Sequence, residues 1–131
     1  MEIKDLTIKE ITTLIRSEIK KTLPNVNISV VKDDTTIEIN VISAKEFDLF
    51  NQTYINAMES GGYLAWGKLQ DEYRERTGEN YLERYTQECN NCLEIIEIIV
   101  AKYLIDKSDI MTDFFWANFA YDIKVKDVFS R

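Results

Sequence analysis

The feature that most constrains the fold is a paired alternation in residues 25–43, NVNISVVKDDTTIEINVIS. Val26, Ile28 and Val30 share one parity, and Ile37, Ile39 and Val41 repeat it after Asp33, Asp34 and Thr35. A period of two places side chains on opposite faces of a pleated strand, so this stretch predicts a β-hairpin with one buried face. Asn27, Ser29, Val31, Glu38 and Asn40 fall on the other, wetter face.

Helical spacing surrounds the hairpin. In TIKEITTLIRSEIKKTL, Thr7 and Glu10 form a capping box, and Ile8, Ile11, Leu14, Ile15, Ile19 and Leu23 make an apolar stripe that Pro24 ends. Ala44–Glu59 resumes the helical period with Phe47, Phe50, Tyr54 and Met58, with Ser43 and Glu46 as a second capping box. Gly61-Gly62 breaks it, and Tyr63–Arg76 is a shorter helix carrying Trp66, Leu69 and Tyr73 on one side. The longest helix is expected from Asn80 to Ile105, because CLEIIEIIVAKYLI is apolar on nearly all sides and such helices are central. FFWANFAYDIKV then alternates again, with Phe115, Ala117, Phe119, Tyr121, Ile123 and Val125 on one face of a last strand.

The order α-β-β-α-α-α-β predicts a single α+β domain over 1–131. A small antiparallel or mixed sheet of about three strands packs on a long central helix. The wide apolar face of that helix points to a homodimer. No basic-then-apolar leader is read and no apolar run approaches the roughly 18 residues of a membrane span, so a cytoplasmic protein without a membrane partner is expected.

Charge and residue choice narrow the chemistry. The chain has no histidine, which removes Ser-His-Asp and Cys-His catalysis and the H-E-x-x-H zinc site. Its net charge of -7 disfavours direct binding to a phosphate backbone. An acidic face suited to a basic partner surface is then the sharper reading of that charge, and solubility the plainer one; Asp33, Asp34, Glu72 and Glu75 are its candidate residues.

Both cysteines lie in C89-N-N-C92. A structural zinc site needs four ligands, and a redox pair needs a helix N-terminus after a strand. Here the pair falls in mid-helix on an apolar seam with Tyr85, Ile96 and Ile99, which predicts core packing. Asp106, Asp109 and Asp113 share one connection but lack the glycine and terminal glutamate of a calcium loop, and no metal or cofactor is assigned. Arg74, Arg76 and Arg84 with Tyr81 and Trp66 form the one arginine-aromatic cluster that could take a phosphate and a base; interleaved Asp71, Glu72, Glu75, Glu79 and Glu83 offset it.

Two segments carry a family resemblance. IRSEIKKTLPNVNISVVKDDTTIEINV resembles the opening of the large polyvalent protein-associated domain family numbered 29 in its series, through Ile15, Arg16, Lys20, Pro24, Val26, Ser29 and Val30. SDIMTDFFWANFAYDIKV resembles its close, through Ser108, Asp109, Thr112, Asp113, Phe114, Phe115, Asn118 and Phe119, while residues 57–80 look like added material. The resemblance implies a setting in phages and conjugative elements, where such domains accompany incoming DNA beside counter-defence modules, and brings no catalytic residues.

The expected function is therefore a non-enzymatic accessory protein that inhibits a host defence system by binding a host protein, in its sharper form one built to hold nucleic acid. One alternative is an oligomeric binder that sequesters a small nucleotide signal. Another is an enzyme using Asp109, Asp113, Glu94 or Glu97, with or without a divalent ion.

Overall fold

A computed structural model describes residues 2–105 and 117–127 of the chain. The fold is α+β, in the element order expected, and the chain forms two compact units. One comprises Met1–Glu46 and Asn91–Lys126, the other Phe47–Asn90 and Asp127–Arg131.

The first unit holds the sheet. After a short 3-10 turn, Ile3–Asp5, helix α1 spans Ile8–Thr22. Its capping box forms: the Glu10 amide donates to Thr7 Oγ1 at 3.2 Å and the Thr7 amide to Glu10 Oε1 at 3.1 Å. Losing such a cap destabilises a helix by about 1 kcal/mol. Thr7→Ala is accordingly expected to lower stability by about that much in urea unfolding. An unchanged midpoint would mean that the cap contributes nothing.

Ile11, Ile15 and Ile19 are buried as the stripe requires. Leu14 is not; it is 41% exposed, and Thr12 takes the buried position with its hydroxyl donating to the Ile8 carbonyl at 2.7 Å. That bond satisfies the hydroxyl inside the helix, which lets a polar residue replace a leucine in the buried stripe.

Strand β1 (Val26–Asp33) pairs antiparallel with β2 (Thr36–Ala44), and β2 pairs in parallel with β3 (Ala120–Val125), giving the order β1-β2-β3. Val30, Ile37, Ile39 and Val41 are buried, on the parity the sequence predicts. A register shift between Asn27 and Ile28 marks a bulge near the open end of the hairpin. At its closed end Asp34 takes φ 52°, a left-handed conformation that aspartate tolerates better than most residues.

Helix α3 (Gln87–Ala101) buries Cys92, Ile96, Ile99 and Val100. Lys102 pairs with Glu18 of α1 at 3.1 Å, and the Tyr121 hydroxyl of β3 donates to Glu97 at 2.9 Å. The expected helix from Asn80 to Ile105 is shortened at both ends. Residues 80–86 are not helical, because Tyr85 forms a β-bridge with Phe50, and the chain leaves the helix after Ala101. The last strand is shorter too: Phe119 is buried just before it, Ala117 is exposed, and Phe115 and Trp116 lie outside the described residues.

The second unit is built on helix α2 (Gln52–Thr77). It begins eight residues later than the phenylalanine spacing suggests. Ala44 ends β2 and Ser43 pairs with Asn27, so the Ser43–Glu46 box does not form; Asn51 is the cap, accepting from the Tyr54 amide at 2.9 Å. The Asn51 side chain also donates to the Glu83 carbonyl at 2.7 Å, and its amide to the Arg84 carbonyl at 2.8 Å, fastening residues 83–84 to the helix start.

Helix α2 is not a straight rod. Gly62 adopts φ 67°, ψ -150° inside it. Twelve residues of straight helix would separate Tyr54 and Trp66 by about 18 Å along the axis. Their rings lie 4.9 Å apart, edge to face, so residues 63–77 fold back on residues 52–61 as a helical hairpin. Gly78 at φ 78° closes the second arm as a left-handed C-cap. Phe50, Tyr54, Trp66 and Tyr85 form the aromatic centre of this unit.

Candidate functional site

The first unit contains a groove of about 620 Å³, in the size range of ligand sites. It arises where α1 stops. Leu23 ends the helix, Pro24 and Asn25 turn the chain into β1, and the bulged end of β2 lies alongside, with the Lys45 amide donating to the Asn25 carbonyl at 3.0 Å. Ile19, Leu23, Val26 and Ile28 give it an apolar lining, Asn27 and Ser43 add neutral polar groups, and Arg16, Lys20 and Lys45 supply charge.

Among the described residues no carboxylate lines the groove, in a chain whose net charge is -7. Among the described residues none of the three cations makes an ion pair. Arg16 is held in place: its Nη2 and Nε donate to the Val30 carbonyl at 2.7 and 3.2 Å. A carbonyl orients a guanidinium without neutralising it, and three of its five N–H donors stay available. Lys20 stands one helical turn further on, in the last turn of α1, where a cation also complements the helix dipole. Glu46, just outside the lining, accepts from the Asn25 side chain at 3.1 Å. The arrangement can hold an anionic group beside an apolar surface.

The residues singled out in the sequence are distributed differently. Asp33 and Asp34 belong to the hairpin turn of the first unit, Glu72 and Glu75 to α2 in the second, so neither unit gathers all four into one acidic face. The arginine cluster is divided among separate partners. Arg74 pairs with Asp71 at 2.7 Å, Arg76 lies 5.8 Å from the Tyr73 ring, and Arg84 lies 5.4 and 6.0 Å from the Tyr54 and Trp66 rings. Trp66 is 3% exposed and already packed on both counts, which leaves Tyr81, 52% exposed, as the open ring of that set.

The groove itself was signalled only by Arg16 and Lys20 at i and i+4, a spacing that puts both on one helix face. Lys45 joins them through the fold alone.

Cys89 and Cys92 are buried and no disulfide joins them, but they stand in the first two turns of α3, with the Cys89 amide donating to Thr86 Oγ1 at 3.2 Å, and not in mid-helix as the spacing predicts. Burial pushes the Cys92 thiol up, the opposite of the lowered value a redox or metal-binding thiolate needs. Glu94 and Glu97 lie on the exposed side of α3. Asp106, Asp109 and Asp113 lie outside the described residues, among which no metal-ligating cluster occurs. No helix of the described residues is long and apolar enough to cross a membrane. Compared with family models, with curated proteins and with solved structures, the chain matches none.

Proposed function

We propose that the protein is a binding module and not a catalyst, and that its working surface is the groove between α1 and the hairpin, where an anionic group of a partner protein is held. The observation that carries this reading is the set of three cations that have no carboxylate partner among the described residues, around an apolar-lined groove of an acidic chain. The setting proposed with it, an accessory protein of a phage or mobile element that inhibits a host defence protein, draws its support from the family resemblance of the two terminal segments.

Thermal unfolding at low ionic strength tests the reading with sodium pyrophosphate and poly-glutamate as probes. A ligand at ten times its Kd adds about 1.4 kcal/mol to a folded protein. The wild type is expected to melt higher with at least one probe, and the gain to shrink as salt rises past about 0.15 M. Lys20→Ala and Lys45→Ala are expected to lose most of the gain, while Asp33→Lys and Glu72→Lys keep it. If neither probe raises the melting temperature, or if the acidic-site variants alone abolish the effect, the groove is not the working surface.

A further inference from the structure

We infer that the occupant of the groove is an extended acidic segment of a partner protein, laid along the start of β1; this rests on the anion-holding reading above. Three features select a peptide over a compact anion.

The first is spacing. Arg16 and Lys20 are four residues apart on α1, about 6 Å along a helix. Alternate residues of an extended chain point the same way about 6.6 Å apart. Two carboxylates at i and i+2 of a strand therefore match the two cations one to one.

The second is polarity. Compact phosphates are drawn to helix N-termini, where free amides point outward. This groove sits at the C-terminus of α1, whose free carbonyls repel a concentrated negative charge. Carboxylates held by side chains at a distance from those carbonyls suit the site better.

The third is the strand. β1 is terminal in the sheet, so among the described residues its outer edge has no strand partner, while Asn27 at its start lines the groove. An extended chain there gains charge contacts, and it gains main-chain hydrogen bonds between the Val26 amide, which donates to the Leu23 carbonyl, and the Val30 carbonyl, which Arg16 occupies.

Fluorescence anisotropy with a labelled octapeptide of alternating glutamate and serine tests this. A block peptide of the same composition, pyrophosphate and an octamer of thymidylate serve as competitors. The alternating peptide is expected to bind at least tenfold tighter than the block peptide and to lose at least tenfold on Lys20→Ala, an exposed change that leaves the Arg16–Val30 contact in place. Amide resonances of residues 26–30 are expected to shift with it. Equal binding of both peptides and of pyrophosphate, all dependent on Lys20, overturns the peptide inference and leaves an anion groove. Tighter binding of thymidylate overturns it in favour of a nucleic-acid ligand. Failure of every probe removes both readings.

Discussion

Gly62→Ala is expected to destabilise the protein by about 1–3 kcal/mol, the strain of a side-chain-bearing residue in a conformation essentially confined to glycine. At φ 67°, ψ -150° Gly62 lies in that region, and it is the point at which α2 reverses. A Cβ there would meet no atom of the described residues within 4 Å, so the penalty is one of backbone conformation and not of crowding. Gly67 supplies the control. Its added Cβ also meets nothing within 4 Å, but it sits in regular helix, where replacing glycine by alanine gains up to about 1 kcal/mol. The two substitutions, identical in chemistry, therefore move the melting temperature in opposite directions, by roughly 3–10 °C downward for Gly62 and a few degrees upward for Gly67 at this chain length. Gly61→Ala is expected to cost stability for a third reason, because its Cβ would lie 2.9 Å from that of Ala65. Equal responses at positions 62 and 67 would remove the reversal at Gly62 as the feature that shapes this unit.

The Gly61-Gly62 break was legible in the sequence because glycine punctuates a helical pattern, but its consequence was not. A break predicts an interruption; that the arms fold back depends on Tyr54 meeting Trp66, a contact made by tertiary packing. The same division runs through the rest of the chain. The hairpin and the Thr7–Glu10 cap are short-range patterns, and both formed as read. The start of α2 and the start of α3 both lie later than the helical spacing predicts, for one common reason. Phe47 and Phe50, and likewise Tyr81 and Tyr85, have helical spacing, yet Phe50 and Tyr85 bridge each other as extended chain. Aromatic residues suit a strand as well as a helix face, and a partner 35 positions away decided between the two. The groove shows the same limit: Arg16 and Lys20 could be placed together from their spacing, and Lys45 could not.

Tyr54→Ala is expected to be the most damaging single change in the second unit, at about 3–5 kcal/mol, the range for emptying an aromatic site in a core. Tyr54 is fully buried, stacks on Phe50 at 4.9 Å, receives the edge-on contact of Trp66 and lies under the Arg84 guanidinium. Its hydroxyl donates to the Asp127 carboxylate, which also accepts from Tyr63 at 3.0 Å. Tyr54→Phe keeps the ring and removes only that donor, so its expected penalty is smaller, about 1–2 kcal/mol, with Tyr63 still serving Asp127. The pair separates packing from hydrogen bonding at one position, and pH separates them again. Burial, then the hydrogen bond to Asp127 and the nearby negative charge, raise the Tyr54 pKa, against the opposing pull of Arg84. The folded protein thus keeps a proton above pH 10 that the unfolded chain has released, and this contribution to stability is full below pH 10 and declines as pH rises above it. Phenylalanine carries no such proton. The stability difference between wild type and Tyr54→Phe, measured by urea unfolding, is therefore expected to stay constant from pH 7 to 9 and to narrow above pH 10. A difference unchanged to pH 11 would mean that the Tyr54 hydroxyl is not held as its bond to Asp127 requires.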